Sequence, residues 1–161
     1  MNNLFALIPV FPLLGFLTIG LFGKKLSKGL VSIISCGTVF ASLVISVYAF
    51  SGLISGGEKS GNSITIHLFD WITAGNFSAP FNFLIDPLSC WFLLIITGIG
   101  FLIHVYSVGY MHDDPAFDRF FAYLNLFIFF MLLLVLGDSY LTMFVGWEGV
   151  GLCSYLLIGF W

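Results

Sequence analysis

Five runs of about twenty mainly apolar residues, parted by short polar breaks, dominate this chain of 161 residues. About 20 residues of α-helix cross a hydrocarbon layer roughly 30 Å thick. A helix also satisfies every backbone N–H and C=O within its own segment, as lipid demands. The runs are Leu4–Phe22, Leu30–Leu53, Pro87–Tyr110, Phe117–Leu136 and Tyr140–Trp161. Charged residues make up only 8% of the chain. A soluble domain carries about a quarter, so this chain lacks the side chains to cover a water-facing surface. The expected fold class is all-α: a polytopic transmembrane helix bundle, forming one part of a single membrane domain over residues 1–161. The last run ends at Gly159-Phe160-Trp161 with no polar tail, which predicts the N-terminal part of a longer chain.

The breaks carry their own signals. Pro9 and Pro12 fall in the first turns of the first run, where proline costs least, although Pro12 is placed to kink it. Gly23-Lys24-Lys25-Leu26-Ser27-Lys28-Gly29 is a short polar connection. The second run places Val31, Ile34, Val39, Leu43 and Val47 on one apolar face. Residues 51–61 are small, polar and glycine-rich, and read as a loop. Polar and apolar residues alternate over Ser63–Leu68 and again over Phe77–Ile85, with Ala74-Gly75-Asn76 as a turn between. This predicts a β-hairpin over 63–85 on the membrane surface, with Pro80 making its second strand irregular. Asp86-Pro87 is a strong helix start, Asp as cap and Pro in the first helical position. Asp138 is expected to cap the fifth helix, and Asp70 to be a solvated hairpin residue.

Lysine and arginine in short loops set the orientation. Lys24, Lys25, Lys28 and Arg119 fall on one side, which the rule places in the cytoplasm. The N-terminus and the hairpin are then extracytoplasmic, in a multi-pass protein of the bacterial inner (plasma) membrane. The first run has no basic segment before it, so it reads as a retained helix and not a cleaved signal. Trp71, Tyr106, Tyr110, Tyr140 and Trp161 fall near the interfaces and fit an aromatic belt. The net charge of -3 gives no case for nucleic acid. Cys36, Cys90 and Cys153 are widely spaced with no C-x-x-C, and read as packing residues without metal or redox work. No nucleophile elbow, phosphate loop or dinucleotide fingerprint is present.

Glu148 is the most informative residue. It lies eight residues into the fifth run, roughly 12 Å below the outer surface at 1.5 Å per residue. A carboxylate at that depth is costly by a few kcal/mol, and such residues mark ion and proton pathways. Burial raises a carboxyl pKa and a nearby cation lowers it. Glu148 therefore reads as a proton carrier; the bland alternative is a neutral, hydrogen-bonded packing carboxyl. Gly151 at i+3 and Tyr155 at i+7, flanked by Gly146 and Gly149, suggest that this stripe faces the bundle interior. His104 lies in the third run, and an imidazole near neutral pKa suits proton relay; a packed, hydrogen-bonded ring is the alternative. As the only histidine at depth, it cannot supply the two axial ligands of a membrane haem. His112, Asp113, Asp114 and Asp118 read as a solvated helix boundary, not a metal site.

The run Gly146-Trp147-Glu148-Gly149-Val150-Gly151-Leu152-Cys153-Ser154-Tyr155 closely resembles the antiporter-like membrane subunit L (chain 5) of proton-pumping NADH:quinone oxidoreductase, respiratory complex I. Ile85-Asp86-Pro87-Leu88-Ser89 resembles that family's third-helix start, and Tyr106-Ser107-Val108-Gly109-Tyr110-Met111 its end. Arg119-Phe120-Phe121-Ala122-Tyr123-Leu124-Asn125 resembles its fourth helix. The resemblance implies that the residue matching Glu148 carries protons beside lysines on later helices. It implies a place at the distal end of the membrane arm, with other membrane-arm subunits, the lipid bilayer and protons as partners. It implies no cofactor in this chain; NADH, FMN, iron–sulfur clusters and quinone belong to other subunits. A cation/proton antiporter subunit of the multisubunit type, a related hydrogenase subunit and a purely structural scaffold remain alternatives at this point.

Overall fold

A computed structural model describes residues 2–55, 63–75 and 77–161. One helical turn, α1 (Asn2–Phe5), leads into α2 (Leu7–Phe22), which tightens into a 3-10 turn at Gly23–Lys25. Then come α3 (Lys28–Ser55), β1 (Ile64–Ala74), β2 (Phe77–Ile85), α4 (Pro87–Tyr110), α5 (Phe117–Leu136) and α6 (Tyr140–Ile158). Among the described residues, five helices are long and apolar enough to cross a membrane. The chain is thus a multi-pass integral membrane protein of the all-α class, with a two-stranded antiparallel hairpin between its second and third spans. Helix α3 runs through Ser55, further than its loop-like sequence suggests, and most of the expected 51–61 loop lies outside the described residues.

Helix α5 packs against α2, α3, α4 and α6, and so forms the centre of the bundle. The main apolar core includes Ile8, Val39, Leu93, Ile128 and Leu132. The buried face of α3 mixes two residues of the expected apolar face, Val31 and Val39, with small polar ones. Ser35, Ser42 and Ser46 are fully buried, whereas Val47 is exposed. Lipid is as apolar as a valine side chain, so Val47 gains little by turning inward, while small hydroxylated residues allow close, hydrogen-bonded helix contact. Ser42 Oγ donates to the Ile8 carbonyl of α2 at 2.7 Å, and Ser46 Oγ to the Ser42 carbonyl at 2.8 Å.

The start of α4 is well determined. Asp86 Oδ1 accepts from the Ser89 backbone N–H at 2.7 Å, and Ser89 Oγ accepts from the Asp86 N–H at 2.8 Å. Pro87 occupies the first helical position, where a missing N–H costs nothing. Asp86→Ala is expected to destabilise the protein by about 1 kcal/mol, seen as a lowered thermal unfolding midpoint of the purified full-length protein; an unchanged midpoint would show the cap to be idle.

Asp138 does not cap α6. Ser139 does, its Oγ accepting from Thr142 N–H at 3.2 Å. Asp138 instead turns to the hairpin: its N–H donates to the Asn82 carbonyl at 3.3 Å, and its carboxylate accepts from Asn82 Nδ2 at 3.4 Å. The capping role falls to the residue immediately before the first helical turn, and Ser139 holds that place.

In the hairpin, Ile66 pairs with Phe83 and Ile64 with Ile85, and Gly75 turns the chain at φ +58°. The register shifts between Asp70 and Ile72, opposite Pro80, where a ladder hydrogen bond cannot form. Ile66, Phe83 and Ile85 are buried, and Phe83 forms a bridge with Gly137 at the end of α5. Asp70 is exposed and accepts from His67 Nε2 at 3.0 Å. The hairpin thus closes one end of the bundle, while Lys24, Lys28 and Arg119 gather around one cleft at the other end. Tyr106, Tyr110, Tyr140 and Trp161 are all exposed, as an aromatic belt requires.

Candidate functional site

The geometry of α6 follows from its glycines. Thr142, Gly146, Gly149 and Cys153 form its buried stripe. A Cβ at position 146 would lie 2.6 Å from Leu134 Cα, and one at 149 would collide with the Phe130 ring. Hydrogen in place of a side chain brings the α6 backbone directly onto α5. The inward face is thereby assigned to the glycines, and Glu148 is carried round to the other side.

Glu148 accordingly sits near the middle of α6, about 12 Å along it from Tyr140, on a face that the five helices leave uncovered. Gly151, Leu152 and Tyr155 share that face, with Tyr155 75% exposed. This reverses the expectation that the Glu148–Gly151–Tyr155 stripe points into this bundle. The physical reason is that Gly146 and Gly149, not Gly151, are the glycines needed for close approach; a Cβ at Gly151 would meet nothing within 4 Å. Among the described residues no donor or cation reaches the Glu148 carboxyl at hydrogen-bonding or ion-pair distance.

His104 is the buried counterpart. It is fully enclosed, and its Nδ1–H donates to the Gly100 carbonyl at 2.7 Å. Its ring lies 6.2 Å from that of Phe121 on α5. Nε2 is left with a lone pair and no hydrogen-bond partner among the described residues. No hydrogen bond there joins it to Glu148.

Sequence reasoning missed Asn125. Its side chain is fully buried between α3 and α5, where Nδ2 donates to Ser35 Oγ and to the Phe121 carbonyl at 3.0 Å. Thr38 Oγ1 donates to its Oδ1 at 3.1 Å. Gly15 of α2 lies against the same group, since a Cβ there would fall 2.8 Å from Asn125 Oδ1. A signal existed: Ser35, Thr38, Ser42 and Ser46 recur at helical spacing inside an apolar run. In water that pattern marks an outer face, and in lipid an inner one.

The loop residues separate into small local pairs. His112 and Asp113 meet at 3.2 Å, both exposed. Asp114 accepts from Trp161 Nε1–H at 3.0 Å and from Ala116 N–H at 2.7 Å. These two donors, the indole foremost, hold its carboxyl below the usual carboxylate range. The contact is therefore complete above the ordinary carboxylate pKa and is lost as pH falls through the depressed value.

Residues 71–121 match the family model described as NADH-Ubiquinone oxidoreductase (complex I), chain 5 N-terminus. The chain is 43% identical over 159 residues to NADH-quinone oxidoreductase subunit L of Pseudomonas aeruginosa, covering 99% of this chain and 26% of that protein. It is 40% identical over 159 residues to subunit L of Escherichia coli, covering 99% of this chain and 25% of the relative. It is 42% identical over 158 residues to NADH-ubiquinone oxidoreductase chain 5 of Allomyces macrogynus, with 98% and 24% covered. By sequence, the chain is similar along nearly its whole length to subunit L and chain 5 proteins. It spans about a quarter of the length of these relatives. The family-model match covers most of the hairpin, all of α4 and the start of α5. The pairwise likeness to family members covers nearly the whole chain, α6 included.

Proposed function

We propose that this chain forms part of a proton-translocating membrane subunit of NADH:quinone oxidoreductase, in which Glu148 carries the proton. One observation supports this most directly: an acidic side chain stands halfway along a membrane-spanning helix, on a face that the five helices leave bare. Lipid does not tolerate a fixed charge there, so that face calls for further protein or water. The chain spans about a quarter of the relatives' length, which leaves ample sequence to cover it. The open space at Gly151, one turn further along, gives such a neighbour room to approach.

The chemistry is a switch in carboxyl affinity. A cation moving close to Glu148 favours the ionised form and expels the proton; its withdrawal favours reprotonation. Movement of charged neighbours, driven by redox chemistry in other subunits, supplies the work. NADH, FMN, iron–sulfur clusters and quinone reside on those subunits and none on this chain. Its partners are the other membrane-arm subunits, the bilayer and the proton. His104, with Nε2 open to accept a proton, is a second relay position inside the bundle. The lysine-rich end faces the cytoplasm and the N-terminus and hairpin face outward. Subunit L and chain 5 relatives favour this reading over a multisubunit antiporter or a hydrogenase. The test is NADH-driven proton movement in sealed vesicles carrying the full-length protein in its complex. Wild-type stoichiometry in an assembled Glu148→Gln complex overturns the proposal.

A further inference from the structure

A cleft of about 580 Å³ opens between the α2–α3 connection and the N-terminus of α5. Lys24, Lys28 and Arg119 line it, with Asp118 as the one acidic residue in its wall. Leu26, Val31 and Phe117 form its apolar side. We propose that this cleft binds the phosphate headgroup of an anionic phospholipid, independently of the proton-transfer reading.

Three features carry this. The first is charge: three cations stand against one acid around a single concavity. Among the described residues neither Lys24 nor Arg119 has a carboxylate within ion-pair distance. Asp114, the next acid along, accepts from Trp161 and Ala116 and meets Lys28 and Arg119 only at longer range. The second is fixation. Lys28 Nζ donates to the His112 carbonyl and, at 3.3 Å, to the Asp114 carbonyl, and it lies 5.7 Å from the centre of the Phe117 ring. A long side chain held by three groups presents its charge at a set place and loses less freedom on binding an anion. The third is depth. Lys24 follows the last turn of α2 and Arg119 lies in the first turn of α5, so the cleft stands where helices leave the hydrocarbon. A phosphodiester fits among the cations there, and the apolar wall continues the path of acyl chains. A free phosphate would use the cations and leave that wall bare.

The experiment uses the full-length protein in its assembled complex, placed in phosphatidylcholine nanodiscs with and without phosphatidylglycerol and then extracted with detergent. Native mass spectrometry counts the phosphatidylglycerol that stays bound. Wild type is expected to retain one more molecule than K24Q/R119Q, whose affinity falls about thirtyfold for two lost charges. K25Q, which removes a cation outside the cleft wall, and the charge-keeping K24R/R119K are expected to retain it. Equal retention by wild type and K24Q/R119Q overturns the proposal, as does loss in K24R/R119K. Displacement of the lipid by millimolar inorganic phosphate also overturns it, by showing a free-anion site.

Discussion

Glu148→Gln in the full-length protein is expected to slow proton transfer through this subunit by about a hundredfold or more, the scale on which a lost acid–base group is felt, and so to lower the protons moved per NADH oxidised. The amide keeps the size and hydrogen-bonding capacity of the carboxyl but cannot load a proton. Glu148 makes no hydrogen bond to the described helices, so this part of the bundle loses no contact in the variant. Assembly and NADH oxidation are expected to persist. The measurement is dye-reported acidification of sealed vesicles, set against NADH absorbance in the same sample. Glu148→Asp, which keeps a titratable group one methylene back, is expected to retain more pumping than Gln. Equal loss in both would point to packing at this position and not to proton transfer.

The second large effect lies one residue away and is structural. Gly149→Leu would drive a side chain into Phe130 of α5, where even a methyl group does not fit. Overpacking of a closed contact costs about 1–3 kcal/mol or more, and here the obstruction lies between whole helices. The expected result is a severe fall in the amount of assembled protein in the membrane, read by immunoblot and by complex assembly on native gels. Gly151→Ala is the matched control, since its added methyl meets nothing within 4 Å. Normal levels of Gly149→Leu would mean that α6 does not rest on α5 as described. The pair also separates the two roles of glycine on this helix: one makes contact possible and the other leaves space.

Helix existence was plain in the sequence because lipid imposes a length and a composition that few other folds share. The start of α4 was equally plain, since Asp86, Pro87 and Ser89 act through local hydrogen bonds. The hairpin could be placed because strand alternation and the Gly75 turn are also local. The rotation of each helix about its axis was harder. In water, apolar residues mark the inside; here Val47 is outside and Ser35, Ser42 and Ser46 are inside. Glu148 was found by its cost, but its direction was misjudged, because three glycines lie within a short stretch of one helix. Only contact with Leu134 and Phe130 reveals which of them touch α5. Asn125 escaped notice for a similar reason: its partners Ser35 and Thr38 are about ninety residues away in the chain.

The small contacts between β2 and the α5–α6 turn have a mechanical consequence. Asn82 grips Asp138, and Phe83 bridges Gly137, immediately before α6 begins. That end of α6 is pinned there, and the other end is held by the Trp161 indole on Asp114. Glu148 stands near the midpoint of a helix fastened at both ends, so a swing of the helix displaces it little. A carboxyl with so short a stroke exchanges partners best when the surroundings come to it.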